Sequence, residues 1–157
     1  MSQNLHNKAE KVVDALRVNL FDQPILVPMA AVAEVVRGAK VVEKNNQPGC
    51  LHGWLQWREL EIPLVALEEM LGAAKGSHTG IANALVVNSI NPVGGNDFYA
   101  FLLTDLPQPA RVSETSDLQE LEDQSGSEYQ LLKVSLDSRE LIIPNLEKIE
   151  AFLNTAF

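Results

Sequence analysis

The chain has 157 residues, of which 46% are hydrophobic and 21% charged, with 21 acidic against 12 basic side chains and a formal charge of −9. This composition supports a folded core without disulfide or metal support and excludes a disordered polar chain. The negative charge, unopposed by any Lys/Arg run, argues against nucleic acid and anionic membrane surfaces as partners. At the N-terminus, Leu5, Ala9, Val12, Val13 and Leu16 recur at spacings of three and four, which predicts a short helix over residues 4–15. Leu16, Val18 and Leu20 then alternate with Arg17 and Asn19, the signature of a half-buried strand ending at the Asp22-Gln23-Pro24 turn. Residues 25–27 begin a second strand. Pro28 interrupts its ladder before residues 29–36, which the sequence leaves open between a helical turn and further extended chain.

After a polar run over residues 43–49, residues 54–57 and 60–65 form a predicted hairpin about Arg58-Glu59, with Pro63 where no partner strand needs its N–H. Residues 67–71 followed by Gly72 read as a brief helical turn with a glycine stop. Residues 73–80 are small and polar, a linker before two more strands at 82–90 and 97–104, joined by residues 91–96. Prolines at 107 and 109, and the acidic stretch 113–127, read as a connection. A last hairpin pairs residues 129–135 with 140–143 around Asp137-Ser138-Arg139. Residues 146–152 form a closing helix with Leu146, Ile149 and Leu153 on one face.

The reactive side chains form no recognisable centre. His6, His52 and His78 lie far apart without metal-ligand spacing, and phosphate-binding glycine loops and nucleophile elbows are absent. Neither cofactor nor metal is expected. Cys50 cannot form an internal disulfide, and with His52 it would share a strand face without a third orienting group, so a half-buried thiol beside a surface histidine is the simpler reading. Glu59, Glu61, Glu68 and Glu69 read as charge on solvated faces. No basic-then-apolar leader opens the sequence, and its apolar stretches fall short of the ~20 residues of a membrane span, which predicts a cytoplasmic protein without membrane insertion. Trp54 and Trp57, three apart on a strand, point to opposite faces. An exposed tryptophan flanked by Arg58 would make an interaction hot spot.

The strands also carry a family pattern. His52-Gly53-Trp54-Leu55-Gln56-Trp57-Arg58-Glu59-Leu60-Glu61-Ile62-Pro63-Leu64-Val65-Ala66-Leu67 is similar to the "RGhhNLRGxhhPhhDL" segment of CheW-like proteins, with Gly53, Arg58, Pro63 and Leu67 in register. Residues 16–20 and 25–35 resemble the opening of that domain, residues 101–105 its second-lobe strand ending in Asp, and residues 128–129 and 139–149 its closing hairpin and helix. His52, Gln56, Glu59 and Ala66 replace the family's Arg, Asn, Gly and Asp, while Pro107 and Pro109 interrupt a Val-rich run. The paired tryptophans resemble the accessory CheW-like proteins of type IV pilus chemosensory systems.

The resemblance implies a mainly β fold: a CheW-like domain over residues 1–157 made of two five-stranded SH3-like β-barrels on a shared core, with short N- and C-terminal helices. The halves would run roughly over residues 15–75 and 80–145, with the closing helix at 146–153. It implies a non-catalytic adaptor joining a chemoreceptor's cytoplasmic tip to the regulatory domain of a CheA-type histidine kinase. Val32, Trp57 and Arg58 would face the receptor, and Glu34, Val35 and Gly53 the kinase. Two competing readings are an SH3-like module that binds peptides through Trp54 or Trp57, and an enzyme using Cys50 and His52.

Overall fold

The computed structural model describes residues 12–20, 24–43, 49–72, 80–113, 116, 118–122 and 127–155. Most of the expected leading helix, the Asp22-Gln23 turn, most of the polar run at 43–49, most of the linker at 73–80, and His6 and His78 lie outside these residues. Where the helix would have ended, residues 12–15 are instead extended, as the start of β1 (Val12–Asn19). Two valines in succession favour a strand, and pairing with two neighbours decides the matter.

Two β layers account for most of the chain. The first is a closed barrel in the order β3 (Val32–Val42), β4 (Leu51–Trp57), β5 (Leu60–Val65), β7 (Asn96–Leu103), β6 (Ile81–Val93), with β6 returning to pair with β3. The second is an open sheet: β8 (Gln108–Ser113), β1, β2 (Pro24–Pro28), β11 (Arg139–Pro144), β10 (Gln130–Leu136), β9 (Leu118–Leu121). One barrel is thus closed with five strands, as expected, whereas its neighbour is a six-stranded half-barrel. Strands β8 and β9 had been read as connecting chain. Pro107 and Pro109 disguise β8, but β8 sits at the sheet edge, where a strand tolerates a missing N–H. Residues 12–28 and 108–144 build the open sheet around a barrel drawn from residues 32–103, so the spatial layers do not follow the linear halves 15–75 and 80–145.

The chain between β2 and β3 takes both of the forms left open, a single 3₁₀ turn (Met29–Ala31) and then a long strand. The expected helices are α1 (Leu67–Met70), with Gly72 in the left-handed region at φ 92°, and α2 (Leu146–Asn154). Asn145 caps α2 by accepting a hydrogen bond from the Lys148 N–H at 3.2 Å.

Strand alternation sorts the core into layers. On β6, Ala84 and Val86 fill the barrel while Leu85 and Val87 face the other sheet; on β7, Ala100 and Leu102 alternate in the same way with Tyr99, Phe101 and Leu103. A five-stranded barrel has a narrow interior, which is why Ala39, Ala66, Ala82, Ala84 and Ala100 line it beside a few large side chains. Leu16, Val18, Ile25, Val27, Ile142, Ile149 and Leu153 meet the barrel's outer face to form the shared core. The open sheet adds a smaller cluster of its own, Ala15, Leu26, Val134, Leu136 and Leu141. No described helix is long and apolar enough to cross a membrane.

Candidate functional site

The β4–β5 hairpin turns on only two residues, Arg58 and Glu59, at φ 48° and 62°. This is the twist that a two-residue hairpin requires, normally supplied by Asn-Gly. Left-handed backbone costs a non-glycine residue about 1–2 kcal/mol, so the turn keeps two charged side chains at its tip at some expense. Such strain is the kind that collects at functional positions.

Beneath the turn, Trp57 enters the barrel core and is only 5% exposed, packed edge-on against Phe98 with ring centroids 4.8 Å apart. Its indole N–H donates to Glu34 Oε2 on β3 at 3.0 Å, and Arg58 Nη2 donates to Glu34 Oε1 at 2.9 Å. The Arg58 guanidinium carbon also lies 4.6 Å from the Trp57 ring centroid. The indole hydrogen bond, followed by the Arg58 interaction, holds the Glu34 carboxyl below its ordinary range. An ion pair this exposed adds little stability. Its effect is to orient Arg58, whose side chain remains 64% exposed.

The expected interface residues therefore divide. Glu34, Trp57 and Arg58, up to 24 positions apart, form one contact network. Val35 follows Glu34 along β3 and is 38% exposed, while Val32, at the start of β3, is half-buried and packs on the shared core. Gly53 is buried: at φ 140°, an added Cβ would lie 2.7 Å from both Val41 Cγ1 and the Val42 carbonyl oxygen, so glycine is what lets β3 and β4 approach. The tryptophans do point to opposite faces, Trp57 into the barrel and Trp54 against the shared core. Neither presents the freely exposed ring that the hot-spot reading needed, and this removes the main support for peptide binding through them.

Two hollows lie on the surface. A shallow, mainly polar one of about 360 Å³ runs along residues 56–61 and includes Arg58, and a larger, more apolar one of about 650 Å³ is bounded by Leu16, Met29, Pro109 and Ala110, with Asp14 and Arg111 beside them, where β1 and β8 meet the 3₁₀ turn.

The Cys50 region differs from expectation. His52 is buried, with its Nε2 paired to Glu69 Oε2, so it is no surface histidine. A third group does therefore touch the imidazole. The thiol is nonetheless pushed up by burial and then by the Glu69 charge, the opposite of an activated nucleophile. Glu68 is not solvated either: it is 1% exposed, neither carboxylate oxygen meets a donor among the described residues, and burial raises its carboxyl above the usual range. No group of three or more His, Cys, Asp or Glu able to hold a metal occurs among the described residues.

Sequence reasoning also missed Glu150. Spaced with Leu146, Ile149 and Leu153 it falls on the apolar stripe of α2, a signal that could have revealed it. Its carboxylate accepts the backbone N–H groups of Ile90 at 3.0 Å and Asn91 at 2.9 Å, freed where β6 slips register against β7, and the Tyr99 hydroxyl at 3.0 Å. Burial and the Glu150 charge push the Tyr99 hydroxyl far up. One turn later, Asn154 accepts from the Gly94 N–H and donates to the Pro92 carbonyl.

Comparison with known proteins agrees with this geometry. The model of the CheW-like domain matches residues 14–151. Among solved structures, the scaffolding protein TtCheW from Thermoanaerobacter tengcongensis superposes with a TM-score of 0.69 at 16% identity, covering 87% of this chain and 90% of that one. No curated protein sequence matches.

Proposed function

The chain belongs to the CheW-like domain family, and from that premise we propose that it couples a chemoreceptor's cytoplasmic tip to the regulatory domain of a CheA-type histidine kinase, in the cytoplasm and without catalysis. The Glu34–Trp57–Arg58 network is the observation that supports this reading. It fixes an exposed guanidinium on a buried tryptophan at the tip of a strained hairpin, a rigid and chargeable contact of the kind that sets register between proteins.

In this reading a helical receptor tip lays an apolar ridge along the hollow beside Leu16 and Met29, while Arg58, which lines the separate hollow along residues 56–61, pairs with a receptor carboxylate. Val35 and Glu34, with Gly53 supporting their strand, face the kinase. Arg58 and Glu34 share one ion pair, so a receptor carboxylate that draws Arg58 away frees Glu34 Oε1 on the kinase side while the Trp57 indole still holds Oε2. The two interfaces are thereby linked through a single contact. Individually weak contacts gain strength by repetition in an array. Twitching motility driven by type IV pili is the system that the paired tryptophans favour.

The test is capture of a receptor tip and of a kinase regulatory domain by Arg58→Glu. Folding is expected to be unchanged, because Arg58 is exposed, while affinity for the receptor tip falls by about tenfold or more. Undiminished capture of both partners by a folded Arg58→Glu protein would sink the proposal.

A further inference from the structure

The open sheet holds a second charged feature, apart from the Arg58 hairpin, that shares Pro109, Ala110 and Arg111 with the larger hollow. The chain has five arginines, and three of them, Arg17, Arg111 and Arg139, line a single cavity of about 410 Å³. They come from three separate strands, β1, β8 and β11, so their convergence is a product of the fold. In a protein of charge −9, gathering three guanidinium groups incurs mutual repulsion that no overall positive field explains.

The cavity lies at the mouth of the half-barrel. Leu136 and Leu141, from the sheet's own apolar cluster, contribute part of its lining together with Pro109 and Ala110. The neighbouring charges neutralise the arginines only partly. Arg111 Nε donates to Asp14 Oδ1 at 3.2 Å, with both side chains largely exposed. Arg17 donates through Nη2 to the neutral amide oxygen of Gln108. Asp137 also lines the cavity, but no salt bridge joins Arg139 to any carboxylate among the described residues. Among the described residues that line the cavity, three cations face one carboxylate, Asp137, beside the apolar Leu136 and Leu141.

We infer that this cavity binds an oxyanion ligand, held by Arg17 and Arg139 across the mouth of the half-barrel with Arg111 at its rim. Guanidinium groups match oxyanions in a two-pronged geometry that lysine lacks, which accounts for arginine at all three positions. The volume is in the range of small-ligand sites and exceeds what a bare ion fills, so the ligand carries an organic part that rests on Leu136 and Leu141. Its oxyanion is a phosphate on a small molecule, because three guanidinium groups about one small cavity suit a compact, multiply charged group; an acidic peptide is the competing outcome of the test.

The experiment titrates the full chain, labelled for arginine side-chain NMR, with sodium pyrophosphate and separately with a short Asp/Glu peptide, at about 0.15 M salt so that unspecific attraction is screened. Saturable shifts of the Arg17 and Arg139 side chains are expected with pyrophosphate at about 1 mM or below. Saturation by pyrophosphate supports the phosphate ligand, and saturation by the peptide alone overturns it. Arg139→Gln is expected to weaken binding about tenfold, the loss of one charge-assisted pair, while Arg37→Gln leaves it unchanged. Arg139 borders an exposed turn, so its replacement keeps the test valid even if Arg17→Gln fails to fold. Arg58→Glu is expected to bind the probe normally, which separates this site from the adaptor reading. Failure of both probes to saturate, or binding that survives Arg139→Gln intact, overturns the inference.

Discussion

The closed barrel, with strands of 6–13 residues, and the open sheet, with strands of 4–8, solve different problems. Closure gives every barrel strand two neighbours and leaves no edge. Its private core holds twelve buried residues among those described, against five for the open sheet. The sheet ends in two unpaired edges, β8 and β9, and relies on the shared core and on α2 for its attachment. The barrel is therefore the rigid platform, and it carries the strained Arg58-Glu59 tip. The more loosely closed layer carries the arginine-lined mouth.

That contrast can be broken most severely at the link between the layers. α2 follows β11 of the open sheet, yet its Glu150 and Asn154 hold the β6–β7 hairpin of the barrel. Replacing Glu150 with Ala removes three charge-assisted hydrogen bonds and leaves the Tyr99 hydroxyl buried without its acceptor, so urea unfolding should show a loss of about 3–5 kcal/mol. Hydrogen exchange should show the open sheet released before the barrel. The barrel's own closure is tested next by Gly53→Ala, where a Cβ meets backbone at 2.7 Å; a loss of about 3 kcal/mol is expected in the same assay.

A smaller effect of opposite sign is expected at Glu68. Because its folded carboxyl is raised, its burial is favourable only when protonated, and the associated stability is lost as pH rises above the ordinary glutamate range through the folded value. Glu68→Met should stabilise the protein by about 1–3 kcal/mol at pH 7, and in thermal melts the advantage should shrink as pH falls through the raised folded value towards the ordinary glutamate range and then level off. An advantage that grows on acidification would contradict the buried, donor-free carboxyl. The smallest effect is Glu59→Gly, which relieves the left-handed backbone and should add about 0.5–1 kcal/mol, read from the denaturation midpoint. If it lowers stability instead, the hairpin tip is not strained.

Local order was legible wherever a short window contained its own cause. Both sides of the 58–59 hairpin, the 94–95 turn, the 137–138 turn and α2 follow from alternation, turn residues and helical spacing within about ten residues of each. β8 and β9 were not, because an edge strand with a proline looks like loop until a neighbour pairs with it. Long-range partners escaped for the same reason. Nothing near Glu34 announces Trp57, 23 positions on, and nothing near Arg17 announces Arg139.

By itself, then, the sequence determined the strands of the barrel, the closing helix, the mainly β class and the family pattern around Gly53, Arg58 and Pro63, since these rest on neighbouring residues and their period. Only the tertiary structure decided which layer closes, that Trp57 is a buried support and not an exposed anchor, and which charges meet. Those outcomes depend on strand pairing between distant segments, where a carboxylate's surroundings come from other strands and cannot be read from its own.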